Sequence, residues 1–222
     1  TLRGDQSSTL PIGNNVYVYP SFSGSFVFSE LLKQSDLMPY GKFRLSWAQV
    51  GSDTDPYQLG LVYSKSKFTY PGYTIGYINN STMPNKNLKP TKTNSFELGL
   101  EMKFLKNRIG LDFTYYTQNS KNQIMGMASS WTSGYNYRLI NAGEIENKGI
   151  EIALNTRPIE LKDFSWDLNL NFSKNSNKVK KLVDGMDMFE LEKAAWLDVQ
   201  VAAKVGENFG AIVGPDFKRN EN

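Results

Sequence analysis

Pairs of carboxylates at short spacing are the residues of this chain that could do acid–base chemistry. Glu97 and Glu101 are four residues apart in an alternating stretch, which separates them by roughly 13 Å on an extended strand. Glycoside hydrolysis needs about 5 to 9.5 Å between its two carboxyl groups. Glu144 and Glu146 are two residues apart, near 7 Å if extended, which that geometry permits. We expect the first pair to be charges on one strand face and the second to mark a strand entrance.

Asp53 and Asp55 have the alternate spacing of a calcium-binding loop, but they lack the later Gly and bidentate Glu of an EF-hand. We expect a loop without metal, with a loop calcium as the weaker alternative. The chain has no histidine and no cysteine. This removes the commonest general base and metal ligand, together with thiolate sites and disulfides. The sequence therefore predicts no enzyme and no required cofactor.

Aromatic residues in two polar stretches are candidates for substrate contact, because aromatic faces bind sugar rings and peptide side chains. These candidates are Tyr70, Tyr73, Trp131, Tyr135 and Tyr137. Packing of a loop against another loop or against a partner is the competing interpretation. A formal charge of +3 gives no case for nucleic acid. No apolar run approaches the roughly 18 residues of a membrane helix.

Period-two alternation of apolar and polar residues defines the elements that carry these side chains. It predicts strands at about 17–28, 40–50, 95–104, 109–116, 149–155 and 164–173. Two further strands are expected near 197–205 and 211–213. The sequence therefore predicts an all-β chain of about six to eight antiparallel strands.

The two faces of these strands differ in chemistry, and each face has its own candidates. On the apolar face, the candidates for contact with lipid are Phe43, Leu45, Trp47, Phe96, Leu98, Leu100, Leu111, Phe113, Ile152, Trp166, Leu168 and Leu170. On the polar face, the candidates for a water-filled lumen are Arg44, Glu97, Glu101, Asp112, Glu151, Asp167, Asn169 and Asn171.

Long and short connections alternate along the chain. The stretches 51–93, 118–147 and the one after 175 are long, whereas 105–108 and 157–162 are short. Outer-membrane barrels show this asymmetry, with short periplasmic turns and long extracellular loops. A ten-residue strand tilted by about 40° spans roughly 25 Å, the height of their apolar band. A soluble sandwich would instead bury the apolar face in a shared core, and alternation alone does not separate the two.

Several stretches resemble motifs of the SusC/RagA-like TonB-linked outer-membrane proteins. Residues 42–57 (KFRLSWAQVGSDTDPY) resemble a strand and loop of that family, and residues 139–151 (LINAGEIENKGIE) closely resemble another of its motifs. Residues 87–100 (NLKPTKTNSFELGL) match a third motif, in which Thr91 replaces the commoner Glu. The remaining matches, in the right order, are 164–172 and 206–212. Together these stretches cover most of the chain.

The resemblance implies a fold and a set of partners. The fold would be a segment of a large barrel, with about 22 strands and a plugged lumen, in the outer membrane of a Gram-negative, Bacteroides-like bacterium. The implied partners are a SusD-like surface lipoprotein, the TonB-ExbB-ExbD complex acting through regions outside this chain, outer-membrane lipid, and the remaining strands of the same barrel. A nucleic acid is not among them.

The function implied is import of a bulky nutrient, an oligosaccharide or a peptide, without covalent chemistry. Residues 1–222 would form one partial barrel domain that lacks the plug, the TonB box, the signal peptide and the C-terminal strands. Thr1 without a leader and the polar run 218–222 are interpreted as cut ends. The alternatives are a soluble all-β carbohydrate-binding module and, less favoured, a β-rich glycosidase.

Overall fold

Antiparallel strands make up most of the chain. The computed structural model describes residues 1–32, 37–78, 81–194 and 198–216. Its strands, in chain order, are β1 (Leu2–Gln6), β2 (Val16–Val27), β3 (Tyr40–Ser52), β4 (Tyr63–Tyr70), β5 (Tyr73–Ile78), β6 (Thr82–Met83), β7 (Thr91–Phe104), β8 (Ile109–Ala128), β9 (Tyr137–Glu160), β10 (Ser165–Lys181), β11 (Met188–Lys193), β12 (Gln200–Lys204) and β13 (Ala211–Val213). Two short 3-10 helices span Phe28–Leu31 and Trp131–Ser133.

One large sheet, here called the wall, has the strand order β1-β2-β3-β7-β8-β9-β10, with every neighbouring pair antiparallel. The two-residue strand β6 adds a parallel pairing to β9. Strands β4 and β5 form a separate hairpin, and β11, β12 and β13 form a small third sheet. The all-β antiparallel prediction is confirmed, and each of the six alternating stretches lies in a strand of the wall.

Strands β8 and β9 are much longer than the sequence predicts, with 20 and 24 residues. The long loop expected at 118–147 is therefore wrong, since only residues 129–136 connect the two strands. Both faces of this extension carry polar side chains, as in the bonds from Thr93 to Ser120 and from Asn119 to Glu144. Alternation reports only strands whose two faces differ in polarity, so it gave no signal here.

The stretches 51–93 and 176–216 also contain strands that alternation did not reveal. The β4–β5 hairpin lies in the first, and β11 and the end of β10 lie in the second. The strand predicted near 197–205 corresponds to β12, and the one at 211–213 is β13. Leu197 and the polar run 218–222 lie outside the described residues.

The connections at the two ends of the wall differ in length only in part. At the lower end, residues 105–108 join β7 to β8 and residues 161–164 join β9 to β10, but residues 28–39, which join β2 to β3 at that end, outnumber the residues 129–136 at the upper end. At the upper end, β3 and β7 are separated by residues 53–90, which include β4, β5 and β6. Three successive residues of the first turn, Leu105, Lys106 and Asn107, have positive φ angles of 51°, 57° and 69°.

The buried core is small and lies at the upper end, not behind the wall. Val179, Leu182 and Ala203 form a buried cluster, with Met186 and Phe189 packed against it. Backbone bonds between Val179 and residues 206–207 attach the small sheet to the end of β10. Within the described part of the chain, the contacts of the wall strands run along the sheet and no second layer covers it. No described helix is long and apolar enough to cross a membrane.

Gly149 of β9 permits a close approach that a larger residue would block. A Cβ atom there would lie 2.6 Å from the backbone oxygen of Lys174 and 2.7 Å from the hydroxyl oxygen of Tyr116. At Gly126 of β8, a Cβ atom would meet only Tyr137, at an ordinary 3.7 Å. Crowding against a backbone atom is relieved only by a shift of the strands themselves.

We therefore predict that Gly149→Ala lowers the free energy of unfolding of the full-length protein by about 1–3 kcal/mol, whereas Gly126→Ala leaves it nearly unchanged. Denaturant unfolding followed by circular dichroism measures both variants. Equal stability of the two variants would contradict the close packing of β8, β9 and β10 at Gly149.

Candidate functional site

The pairing register of the wall decides which side chains share a face. On the polar face, one row crosses the sheet through Arg44, Gly99, Thr114, Glu151 and Ser173, each opposite the next. Because side chains alternate along each strand, the register puts all the predicted lumen candidates on this polar face: Arg44, Glu97, Glu101, Asp112, Glu151, Asp167, Asn169 and Asn171. That the face borders a lumen stays a prediction.

Arg44 organises the charges on this face. Its guanidinium group donates a hydrogen bond of 2.7 Å to Asp112 and one of 3.4 Å to Thr114, and it lies 3.8 Å from the carboxylate of Glu101. Lys42 forms a second ion pair with Glu101, at 2.9 Å. Glu101 and Asp112 face each other directly across β7 and β8, where like charges repel. The two cations therefore stabilise a pair of carboxylates that the register forces together.

Gly99 makes room for the Arg44 side chain. A Cβ atom at Gly99 would lie 2.7 Å from Nε of Arg44, so the guanidinium group lies over the bare backbone of β7. The sequence interpretation missed Gly99 and Lys42 as members of this group. Lys42 could have been found from its place two residues before Arg44, whereas Gly99 requires the register.

Two further carboxylates flank Arg44 without pairing to it. Within the described ranges, neither Glu97 nor Glu151 forms an ion pair, and both are exposed. Glu151 borders an open depression of about 420 Å³, whose other polar lining residues are Arg44, Asp112, Thr114, Asn171 and Ser173. Around Arg44, the polar face thus carries four carboxylates and two cations, and it is open to water.

A second ion-pair group lies lower on the polar face. Arg157 is 2.7 Å from Asp167 and 3.4 Å from Glu160, and Arg108 is 3.7 Å from Glu160. These residues line another open depression of about 420 Å³ together with Asn169. Salt bridges of this exposure contribute little to stability, so the group is chiefly a polar lining.

The second carboxylate pair considered for chemistry, Glu144 and Glu146, forms contacts with neighbouring side chains. Glu144 accepts a bond of 2.6 Å from Asn119, and Glu146 forms ion pairs of 3.1 Å with Lys180 and 3.6 Å with Lys148. The hydrogen bond from Lys180 holds the pKa of Glu146 below its ordinary value. A general acid needs the opposite shift. These contacts fit a structural role for both glutamates.

Asp53 ties the start of the loop after β3 to residues 7–9. Its carboxylate accepts hydrogen bonds from the hydroxyl groups of Ser7 and of Thr9, the latter at 3.2 Å, and the bond from Ser7 lowers its pKa. Asp55 takes no part in these bonds. Among the described residues, no group of three or more acidic side chains could hold a metal ion, so the loop-calcium alternative finds no support.

The aromatic candidates lie on two different connections. Tyr70 and Tyr73 face each other at the tip of the β4–β5 hairpin, with 68% and 73% of their surfaces exposed. Trp131 is 81% exposed in the second 3-10 helix, and Tyr135 follows it. Tyr137, expected in a loop, is instead the first residue of β9 and faces Ala128. Contact of these residues with a substrate stays a prediction.

The opposite face of the wall is apolar, and its upper boundary crosses the strands obliquely. The register puts every predicted lipid-contact residue on this face: Phe43, Leu45, Trp47, Phe96, Leu98, Leu100, Leu111, Phe113, Ile152, Trp166, Leu168 and Leu170. On each strand from β3 to β10, the uninterrupted run of large apolar residues on this face ends at its upper side with Trp47, Phe96, Tyr115, Ile150 and Phe172. Above a polar interval, Met125 and Met127 of β8 and Ile140 of β9 lie on the same side again.

This boundary drops by one cross-strand row between β7 and β8 and by another between β9 and β10. Two such drops of about 6.8 Å, over four strand spacings of about 4.8 Å, give an angle of roughly 35° between the boundary and the cross-strand rows. Strands of membrane barrels are tilted by about 35–45° from the barrel axis. A level apolar band on tilted strands produces this pattern.

The side chains of Arg44, Lys42, Glu101 and Asp112, here called the Arg44 group, allow a test of the arrangement on the polar face. In a double-mutant cycle with Arg44→Met and Asp112→Asn, we predict a coupling energy of about 0.5–1 kcal/mol, because the pair is close but about one third exposed. The matched cycle of Arg44→Met with Glu97→Gln should give a value near zero. Denaturant unfolding supplies the free energies. Equal coupling in the two cycles would contradict the arrangement described.

Comparisons with known proteins give matches over most of the chain. The family model described as "TonB dependent receptor-like, beta-barrel" matches residues 2–190. The TonB-dependent receptor P3 of Formosa agariphila is 30% identical over 98% of this chain and 22% of its own length. The TonB-dependent receptor SusC of Bacteroides thetaiotaomicron is 30% identical over 84% of this chain and 19% of its own length. The chain therefore spans about a fifth of these relatives.

Among solved structures, the RagAB peptide transporter superposes with a TM-score of 0.80 at 21% identity, over 93% of this chain and 22% of that chain. The RagAB peptide importer in its open-open state gives 0.76. At this level of identity, the likeness concerns the fold alone.

Proposed function

Because this chain belongs to the TonB-dependent receptor-like β-barrel family, we propose that its wall is a segment of an outer-membrane barrel that imports a bulky nutrient. The family match confirms the resemblance to SusC/RagA-like proteins, and the superposition on RagAB confirms the barrel-segment fold. The location in the outer membrane of a Gram-negative bacterium follows from the family. Import is the activity of the whole protein, of which this chain covers a part.

The oblique apolar boundary is the observation that carries the proposal. A soluble sandwich would cover the apolar face with a second sheet, yet Leu170 and Phe172 are 51% and 54% exposed and no described layer covers them. In a membrane, hydrocarbon covers such a face, and every backbone group of the spanning strands must find its partner in the ladder. The soluble carbohydrate-binding module therefore finds no support.

The polar face, in this proposal, borders the water-filled interior. The Arg44 group and the flanking Glu97 and Glu151 keep that interior wet and charged, and no covalent chemistry is assigned to them. The connections at the upper end would lie outside the cell. There, Tyr70, Tyr73, Trp131, Tyr135 and Tyr137 are the residues proposed to meet the substrate or a lid.

The partners proposed for the whole protein are a SusD-like surface lipoprotein and the TonB-ExbB-ExbD complex. Residues 1–222 form one partial barrel domain in this proposal, completed by strands, plug and TonB box outside the chain. Support for a peptide as the nutrient comes from the RagAB peptide transporter, and an oligosaccharide is the other nutrient that the resemblance to SusC/RagA-like proteins implies. Selection among such nutrients is assigned to the upper connections and the plug, because the wall contributes only a polar lining.

Adjacent residues of β10 test the membrane assignment. We predict that Leu170→Arg lowers the free energy of unfolding in a bilayer by about 2–4 kcal/mol, because Leu170 lies in the interior of the apolar run of β10 and the substitution would place a charge in hydrocarbon. Asn171→Arg, one residue away on the polar face and also exposed, should be nearly neutral. Reversible unfolding of the full-length protein in lipid vesicles measures both. Similar losses from the two substitutions would refute a wall with lipid on one side and water on the other.

Import is tested in a strain that lacks the full-length gene. We predict slower uptake of one group of compounds within a panel of oligosaccharides and peptides, restored by the intact gene and not by a version without its TonB box. Uptake is followed as depletion of each compound from the medium. Unchanged uptake across the panel would count against the nutrient-import proposal while leaving the membrane wall intact.

A further inference from the structure

Basic residues gather on the outward face of the wall, just above the apolar boundary. On β10, Lys174, Ser176 and Lys178 follow Phe172 at alternate positions, so they point to the same side as the apolar band. On β9, Lys148 is the first outward residue above Ile150 and lies opposite Ser176. We call Lys148, Lys174 and Lys178, with the hydroxyls of Ser176 and Thr117, the outward basic cluster.

The register fixes the shape of this cluster. Thr117 of β8 faces Lys148, which faces Ser176, so one row presents two hydroxyls on either side of an ammonium group. Lys174 and Lys178 are the diagonal neighbours of Lys148, about 7–8 Å away between backbones. Three lysines therefore neighbour Ser176 on one face, and ammonium and hydroxyl groups are donors that suit a phosphate group.

Most of this charge is not neutralised by neighbours. Within the described residues, Lys174 and Lys178 form no ion pair and neither hydroxyl of the cluster is in a side-chain hydrogen bond, although Lys178 stands directly opposite Glu146 in the ladder. Lys148 lies 3.6 Å from Glu146, but that carboxylate is held more closely by Lys180, at 3.1 Å. Lys148, Lys174 and Lys178 are all exposed. The cluster is thus exposed and has a net positive charge, with three lysines beside the one carboxylate of Glu146.

The height of the outward basic cluster along the strands, and the absence of charge at the lower end of the same described face, indicate what covers the cluster. On a strand tilted by 40°, consecutive outward residues differ in height by about 5 Å, and a headgroup layer is about 5–8 Å thick. Lys148 and Lys174, each one position above the apolar boundary, therefore lie at headgroup level. At the lower end of the described wall, the outward positions of β7–β10 are Phe104, Ile109, Thr156 and Trp166, with no charge. Of the two ends of this described face, the upper, outer-leaflet end is the one that offers cations.

We propose that the outward basic cluster binds phosphate-bearing lipid headgroups of the outer leaflet. The long stems of Lys148 and Lys174 pack along the lipid chains while their ammonium groups contact the phosphate, and the hydroxyls of Ser176 and Thr117 donate to its oxygens. The inference rests on the membrane location proposed above and adds to it a specific lipid contact, fixed to β8, β9 and β10.

The test uses the purified full-length protein and its Lys148→Gln/Lys174→Gln variant. Binding of monophosphoryl lipid A and of the same lipid without its phosphate is titrated in neutral detergent, with inorganic phosphate as a third probe. We expect the variant to bind the phosphorylated lipid about thirtyfold more weakly, at roughly fivefold for each lysine. The matched control, Lys65→Gln/Lys67→Gln in β4, removes the same charge and should bind like the unmodified protein.

Equal affinity of variant and unmodified protein, or of the two lipids, would overturn the proposal. Inorganic phosphate that displaces the lipid at equal concentration would also overturn it, since the site would then be one for a free anion. The Leu170→Arg and Asn171→Arg pair separates failure of the membrane assignment from failure of the lipid contact. If Leu170→Arg destabilises the protein and Asn171→Arg does not, while lipid binding is unchanged in the lysine variant, the membrane assignment holds and only the lipid contact fails.

Discussion

The antiparallel hydrogen-bond ladder from β3 to β10 is the constraint on which this structure depends. Its register determines which side chains share a face, and so it sorts carboxylates, lysines and aromatic residues into two different environments. A slip of one residue would move Arg44 to the apolar face and Leu45 to the polar one. The ladder also satisfies the hydrogen-bonding groups of the backbone, and no strand can cross hydrocarbon unless these groups are paired.

The sequence predicted the part of the fold where the two faces differ in polarity. Phe96, Leu98 and Leu100, alternating with Glu97 and Gly99, are enough to identify β7 and its two faces. The upper halves of β8 and β9 were not predicted because neighbouring residues such as Asn119 and Ser120 point to opposite sides and are both polar. A period-two signal requires contrast between the two faces of a strand, and side chains of similar polarity on both faces remove it.

The arrangement of the Arg44 group was only partly predictable, for a related reason. Arg44, Glu101 and Asp112 could be assigned to one face from alternation along each strand. Their contacts depend on which residues stand opposite one another, and Gly99 acquires its role only by facing Arg44 across the ladder. Pairing between strands separated by the insertion 53–90 is not written in the local sequence. The same holds for the oblique apolar boundary.

The long β8–β9 arm has a mechanical consequence. It continues the strands that carry Asp112 and Glu151 up to the connection that holds Trp131, with backbone pairing along nearly its whole length. Asn122 and Gly143, both with positive φ angles, interrupt that pairing at a single level. A force applied at Trp131 would be transmitted along the paired strands, and the arm would bend first where Asn122 and Gly143 interrupt the pairing. The β4–β5 hairpin, which forms a sheet of its own, offers no such transmission.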